Sequence, residues 1–233
     1  MFYKIVSIPL LPVFLYQGKK VKKTIPKLPE ALGERVGNGK ILKTVLILGD
    51  SAAAGVGVDI QKNALSGQIF KNLGENFNFS WELIAKSGVT TKESINYLKE
   101  LEYKQYDIVV VSLGVNDVLS TLDASKWANH VVELINLLKK KFNSKLILFT
   151  NLPPMGSFSA LPQPLRWYLG SRANEFNMKL NKMFKNTNGV YNFNIKFGNS
   201  SEFLAIDGFH PSKKGYEVWG KIVAELIKSK SFL

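Results

Sequence analysis

Residues 106–114 read YDIVVVSLG, an aliphatic run with no polar break between Ile108 and Val111. It lacks the alternation of a strand with one solvated face and reads as a parallel strand buried on both. Similar runs stand on either side: TVLILG (44–49), WELIAK (81–86), KLILFTNL (145–152) and a weaker VYNFN (190–194). Helical patterns separate them at about 61–73, 91–101, 123–141, 172–186 and 212–228. The clearest places Trp127, Val131, Leu134 and Leu138 on one stripe, with Lys139, Lys140 and Lys141 where the helix dipole favours cations. Strands of this kind alternating with helices predict an α/β fold, a three-layer α/β/α domain with a doubly wound, mostly parallel, five-stranded sheet.

In such a sheet, ligands bind beyond the carboxyl ends of the strands, at the switch in strand order. The first strand ends in Gly49-Asp50-Ser51, followed by AAAGVGV. Gly49 permits a tight turn, and the small Ala52, Ala53 and Ala54 let the chain start again close to the sheet. A phosphate loop is the rival reading, but neither Gly-Lys-Ser/Thr nor GxGxxG is present. Capping of a helix by Asp50 or Ser51 is the plainer one. The next strand ends in Ser87-Gly88-Val89-Thr90-Thr91, where Gly88 serves as a turn or presents its N–H to the same rim. The third ends in Gly114-Val115-Asn116-Asp117, where Asn116 offers a side-chain amide. Taken singly, each is ordinary turn chemistry.

Asp207-Gly208-Phe209-His210-Pro211 precedes the last helical pattern. An Asp and a His three residues apart on a tight loop bring a carboxylate to one imidazole nitrogen and leave the other free as a general base. His130, the only other histidine, lies mid-helix and reads as structural. A serine, a base with its orienting acid, and donors for an oxyanion make up the parts of acyl transfer. The α/β-hydrolase elbow G-x-S-x-G is absent around Ser51.

GDS at 49–51, SGVTT at 87–91, GVND at 114–117 and DGFH at 207–210 resemble, in order and spacing, the blocks of the SGNH (GDSL-type) hydrolases. The resemblance runs from about residue 43 to 228. It implies a flavodoxin-like fold with Ser51 as nucleophile, His210 as base and Asp207 as orienting acid. The oxyanion hole would be Ser51 N–H, Gly88 N–H and the Asn116 amide, supported by Gly49, Asp50, Gly114 and Asp117. Ala52 departs from the Leu common after the serine. The expected reaction is carboxylic-ester hydrolysis through an acyl-serine, with no metal or cofactor.

Segment 153–170 (PPMGSFSALPQPLRWYLG) reads as a long loop beside the rim, with Phe158, Leu161, Trp167 and Tyr168 as an apolar wall for an acyl chain. The alternative is that these residues only pack the loop down. Lipid-derived or other acyl esters are the expected substrates. Acetylated carbohydrate esters are the alternative, and a non-catalytic adaptor of the same fold is a third reading.

Composition narrows the rest. The 233 residues are 45% hydrophobic, as in a soluble globular domain, and contain no cysteine, so neither disulfides nor a thiol nucleophile are available. With two histidines a multi-histidine metal centre is excluded. The net charge is +13, and residues 1–43 hold nine Lys/Arg against two acids, over half of that excess. Charge concentrated at one end, with the remainder only mildly basic and without interleaved aromatics over a folded surface, argues against nucleic acid.

Residues 5–16 (IVSIPLLPVFLY) form an apolar run broken by Pro9 and Pro12, short of the roughly 20 residues that a bilayer core of about 30 Å needs. Lys19, Lys20, Lys22, Lys23 and Lys27 come directly after it and favour a cytoplasmic location for the downstream domain. At about 1 kcal/mol per lysine near anionic head groups, five supply several. Residues 1–27 are therefore expected to touch the inner face of a membrane. An arm packed on the domain's own surface, or an exported and anchored protein, are the alternatives. Residues 24–42 read as a connecting segment, so the expected division is an arm over 1–42 and a hydrolase domain over 43–233. The stretch PKLPEALG (26–33) also resembles a bacterial subgroup with a membrane-proximal leader.

Overall fold

A computed structural model describes residues 2–77, 79–195 and 201–230. Its sheet contains β1 (Val36–Gly37), β2 (Ile41–Gly49), β3 (Phe79–Ala85), β4 (Ile108–Ser112), β5 (Leu146–Thr150) and β6 (Val190–Phe193), in the order β1-β3-β2-β4-β5-β6. The five strands expected from sequence are parallel neighbours, and the chain winds outward from β2 in both directions. The sheet has six strands among the described residues rather than five, because β1 adds an antiparallel edge to β3. Two residues carry no periodicity. The edge also needs Gly37, where a Cβ would lie 2.0 Å from Trp81 Nε1.

Alternate residues of each strand feed opposite layers. Leu46, Leu48, Val109, Val111, Ile147 and Phe149 face α4 (Thr91–Glu100), α6 (Ala124–Lys141) and α7 (Leu165–Phe184). Val45, Ile47, Ile108, Val110 and Leu148 face α3 (Leu65–Leu73) and α8 (Lys213–Lys230). This is the three-layer α/β/α architecture, and both faces of the sheet are dry, as its unbroken apolar strands require. Trp127, fully buried, packs at 4.7 Å from Phe176 and 6.4 Å from Phe149, joining α6, α7 and β5.

Several boundaries differ from expectation for local reasons. The helix expected over 61–73 is a 3-10 turn, Gln61–Asn63, followed by α3. Helix α7 starts at Leu165, well ahead of 172, so the expected loop 153–170 is helical in its last third. Pro162 and Pro164 just before it and Gly170 within it mask its period, and Gly170 is present because a Cβ there would lie 2.6 Å from Gly156 Cα. The five-residue α5 (Val115–Leu119) is too short to show any period.

The N-terminal segment is helical as well. It forms α1 (Phe2–Ser7) and α2 (Leu11–Thr24), with Pro12 in the first turn of α2, where its missing N–H costs nothing. Phe14 is buried and stacks on Tyr168 at 4.6 Å, Lys4 pairs with Glu175 at 2.7 Å, and Gln17 bonds Gln163 O and Leu165 N. The arm thus packs along α7. The expected boundary between residues 42 and 43 falls inside β2. Ala31 N–H donates to Ala54 O, Leu32 bridges Ile60, and residues 30–37 belong to the domain.

Candidate active site

The carboxyl ends of β2, β3 and β4 flank the switch in strand order, and each leads into one of the expected blocks. At the end of β2, a Cβ on Gly49 would lie 2.4 Å from Ala53 Cβ and 2.7 Å from Ser112 O, so only glycine lets the chain fold over β4. The turn is then closed by Ala54 N–H to Asp50 O (2.9 Å) and Val56 N–H to Ser51 O (3.0 Å). The Tyr216 hydroxyl, from α8, lies 2.8 Å from both Ala52 O and Val56 O and props the turn from below.

Ser51 Oγ lies 2.9 Å from His210 Nε2. His210 Nδ1 lies 2.5 Å from Asp207 Oδ2, while Asp207 Oδ1 accepts the backbone N–H of Phe209 and of His210 at 3.0 Å each. Nδ1–H therefore donates to the carboxylate, and Nε2 accepts from the serine. Gly208, at φ +64°, allows the loop to bend back so that acid and base meet three residues apart. Ala205 N–H closes that loop on His210 O at 2.8 Å. Burial pushes the Asp207 carboxyl up, but the His210 ring and the two backbone donors outweigh it and hold the group below the usual carboxylate range.

Gly88 sits at φ +84° with open space where a Cβ would be. Among the described residues, neither its N–H nor that of Ser51 meets an acceptor. Asn116 Nδ2 donates to Val89 O at 2.9 Å and reaches Asp50 Oδ2 at 3.4 Å. One side chain thus ties the residue before Ser51 to the residue after Gly88, which gathers the three blocks at one rim. Both amide hydrogens of Asn116 have acceptors. The long contact to Asp50 is the one an incoming oxyanion can take over.

The supporting residues act through the backbone. Gly114, at φ +121°, leaves no room for a Cβ beside Trp127, 2.7 Å away. Asp117 is buried and accepts Thr91 N–H at 3.0 Å and Thr91 Oγ1–H at 2.8 Å, pinning α5 to the start of α4. Asp50 is buried too, and burial pushes its carboxyl up to about 6, despite the Ala52 N–H donor and nearby His210. From about pH 4 to 6 the unfolded chain releases this proton while the native state keeps it, so this group's contribution to stability is lost as the pH rises. Asp50→Asn is expected to remove that slope. Its stability relative to the parent should improve by roughly 2–3 kcal/mol between pH 4 and pH 8 in urea unfolding. Parallel pH curves would rule the effect out.

Three supports escaped the sequence reading. Tyr216 looks like one more apolar helix residue. Arg172 is buried in α7 and donates to Val118 O (2.9 Å), Ser120 O (3.1 Å) and Leu122 O (2.5 Å), satisfying the carbonyls at the end of α5. Glu30, in the segment read as a connector, accepts Ser87 N–H at 2.7 Å and pairs with Arg35, which donates to Ala85 O at 2.7 Å. The charge pattern PKLPEALGER was the available signal.

A cleft open to solvent runs from Ser51 and His210 between Leu113, Leu152, Phe158, Leu204 and Phe209. Of the four side chains expected on its wall, only Phe158 lines it, 5.0 Å from Phe209. Leu161 is buried in the core beneath, and Tyr168 is turned to Phe14 of the arm. Trp167 is half-buried on α7 away from the cleft. Helix formation from Leu165 onward carries the last two off the rim. His130 lies on α6 beside a separate hollow with Asp117, Lys92 and Lys126. Among the described residues, no three His, Asp or Glu side chains converge as metal ligands.

A doubly wound sheet with a serine, histidine and aspartate in hydrogen-bonded sequence at its switch point defines the class of acyl-transferring hydrolases. Residues 47–218 match the model of the GDSL-like lipase/acylhydrolase family, and the chain belongs to that family. It is 25% identical over 196 residues to the spore germination lipase LipC of Bacillus licheniformis, across 73% of this chain and 89% of the relative. The fold is similar to that of the lipase Lip_vut3 from a goat rumen metagenome, with TM-score 0.63, 22% identity, and coverage of 78% of this chain and 96% of the other. It is also similar to Est24, a carbohydrate acetylesterase from Sinorhizobium meliloti, with TM-score 0.55, 18% identity, and coverage of 80% and 99%.

Proposed function

We propose that this protein is a serine carboxylic-ester hydrolase working through an acyl-Ser51 intermediate. The observation that carries the reading is the continuous chain from Ser51 Oγ to His210 Nε2 (2.9 Å) and from His210 Nδ1 to Asp207 Oδ2 (2.5 Å). His210 takes the Ser51 proton as Oγ attacks the ester carbonyl carbon. The carbonyl oxygen gains the negative charge and is met by the N–H groups of Ser51 and Gly88 and by the Asn116 amide. When the tetrahedral intermediate collapses, the C–O bond to the alcohol breaks and His210 gives its proton to the departing oxygen. Water then attacks the acyl carbon, losing a proton to His210; the bond to Ser51 Oγ breaks, Oγ takes that proton back from His210, and the acid is released. Asp207 keeps the imidazole in the tautomer these steps need and stabilises its charged form. Asn116→Ala is expected to lower kcat about 10²- to 10³-fold with little change in KM. Equal kcat in variant and parent would remove Asn116 from the oxyanion site.

The substrate class is argued from the cleft wall. Leu113, Leu152, Phe158, Leu204 and Phe209 offer an apolar surface to an acyl chain, which favours lipid-derived or other medium acyl esters. Removal of acetyl groups from carbohydrate is the second reading, favoured by the structural likeness to Est24. A series of p-nitrophenyl esters of rising chain length separates the two. The acyl reading expects kcat/KM to climb beyond acetate, gaining about tenfold per few added methylenes until the cleft is full. A profile that peaks at acetate would move the assignment to acetyl esters.

A further inference from the structure

Among the described residues, nothing packs on the outer face of the N-terminal helices. Leu10, Phe14, Gln17 and Val21 recur at helical spacing and pack inward, toward α7 and the core beside it. The opposite face of α2 carries Leu11, Leu15 and Tyr16 in its first half, the last two each 67% exposed. Its second half carries Lys19, Lys20, Lys22 and Lys23, none of them paired with a carboxylate among the described residues. A helix that has already buried one stripe in its own domain gains nothing in folding from keeping bulky apolar side chains in water on the other.

The arm is anchored to the domain on either side of these lysines. Gln17 is bonded to Gln163 and Leu165, at the end of the stretch that carries Phe158, while Glu30 holds Ser87 beside Gly88. The lysine-bearing turns and residues 25–29 join these two anchors. Ile206, next to Asp207, is a further exposed apolar side chain, 86% exposed.

We propose that α1 and α2 dock the protein on an anionic lipid bilayer, with Leu11, Leu15 and Tyr16 entering the head-group region and the four lysines facing the phosphates. No helix among the described residues is long and apolar enough to cross a membrane, so the element lies in the interface plane. A second copy seated on the same face would bring two cationic stretches into one interface, whereas an anionic bilayer complements both halves of the face at once. The consequence for catalysis rests on the esterase reading: docking brings the protein to the surface where acyl esters of membrane lipids lie.

Cosedimentation of the full chain with phosphatidylcholine vesicles, with and without phosphatidylglycerol, tests this. Binding is expected on the phosphatidylglycerol vesicles and should weaken with salt. It should fall by at least about tenfold in Leu15→Ser/Tyr16→Ser and in a variant with Lys19, Lys20, Lys22 and Lys23 all replaced by Gln. Both variants should hydrolyse a soluble p-nitrophenyl ester at the parental rate, which keeps loss of docking distinct from loss of fold. A parent that stays in the supernatant with both vesicles would overturn the proposal, as would variants that bind like the parent. A dimer in light scattering that Leu15→Ser/Tyr16→Ser dissociates would assign the face to self-association instead. Docking without any ester hydrolysis would refute the esterase reading alone and leave this proposal standing.

Discussion

Ser51→Ala is expected to lower ester turnover by about 10⁴- to 10⁶-fold, with an unfolding midpoint unchanged within error. The size follows from the proposed acyl-serine mechanism. With the hydroxyl gone, no acyl-enzyme forms, and His210 is left to activate water without a positioned nucleophile. The residual rate comes from substrate binding and the oxyanion donors. The stability expectation follows from the site. Ser51 is half-exposed on a turn that is held by Gly49, Tyr216 and backbone bonds rather than by its own hydroxyl. A variant hydrolysing esters at the parental rate would remove Ser51 from the chemistry altogether.

Asp207→Asn is expected to lower kcat by about 10⁴-fold while leaving KM near that of the parent. Asp207 Oδ1 can keep its two backbone donors as an amide oxygen, so the loop keeps its shape. At the Oδ2 position an amide NH₂ would face His210 Nδ1. It would force the proton onto Nε2, the nitrogen that must accept from Ser51. The loss should therefore appear in turnover and not in binding. A matching rise in KM would point instead to a disturbed loop, which Asp207→Asn is chosen to avoid. A variant as fast as the parent would show that the carboxylate does not orient the base.

How much of this was legible in the sequence depends on how each feature is encoded. The strands β2, β4 and β5 were readable because full burial on both faces leaves unbroken aliphatic runs. Helix α6 was readable because one apolar stripe repeats over eighteen residues. The blocks holding Ser51, Gly88 and Asn116 could be read because each glycine-framed turn follows a strand, and turns at the ends of parallel strands meet at one rim; the His210 block could be read because an acid and a histidine stand three residues apart in a Gly/Pro-framed loop before the last helix. What escaped has no such period. Strand β1 is two residues long. The first turns of α7 sit behind prolines and a Gly170–Gly156 contact that only the folded chain explains. Tyr216, Arg172 and Glu30 hold the site by bonding to backbone atoms far away in sequence, and no local pattern marks a side chain by where it reaches. The arm follows the surface-packing alternative, and the membrane reading of it is carried only as the proposal above. Its inner stripe packs on α7, as the surface-packing alternative held, while its outer face keeps the apolar and basic character that suggested a membrane.

The most direct test of the central claim is labelling of the purified protein with a fluorophosphonate, followed by intact mass and peptide mapping. The account predicts one adduct per chain, located on Ser51, and absent from both Ser51→Ala and His210→Ala. A folded parent that takes up no label, or one labelled at another residue, would contradict an activated Ser51 and with it the esterase assignment.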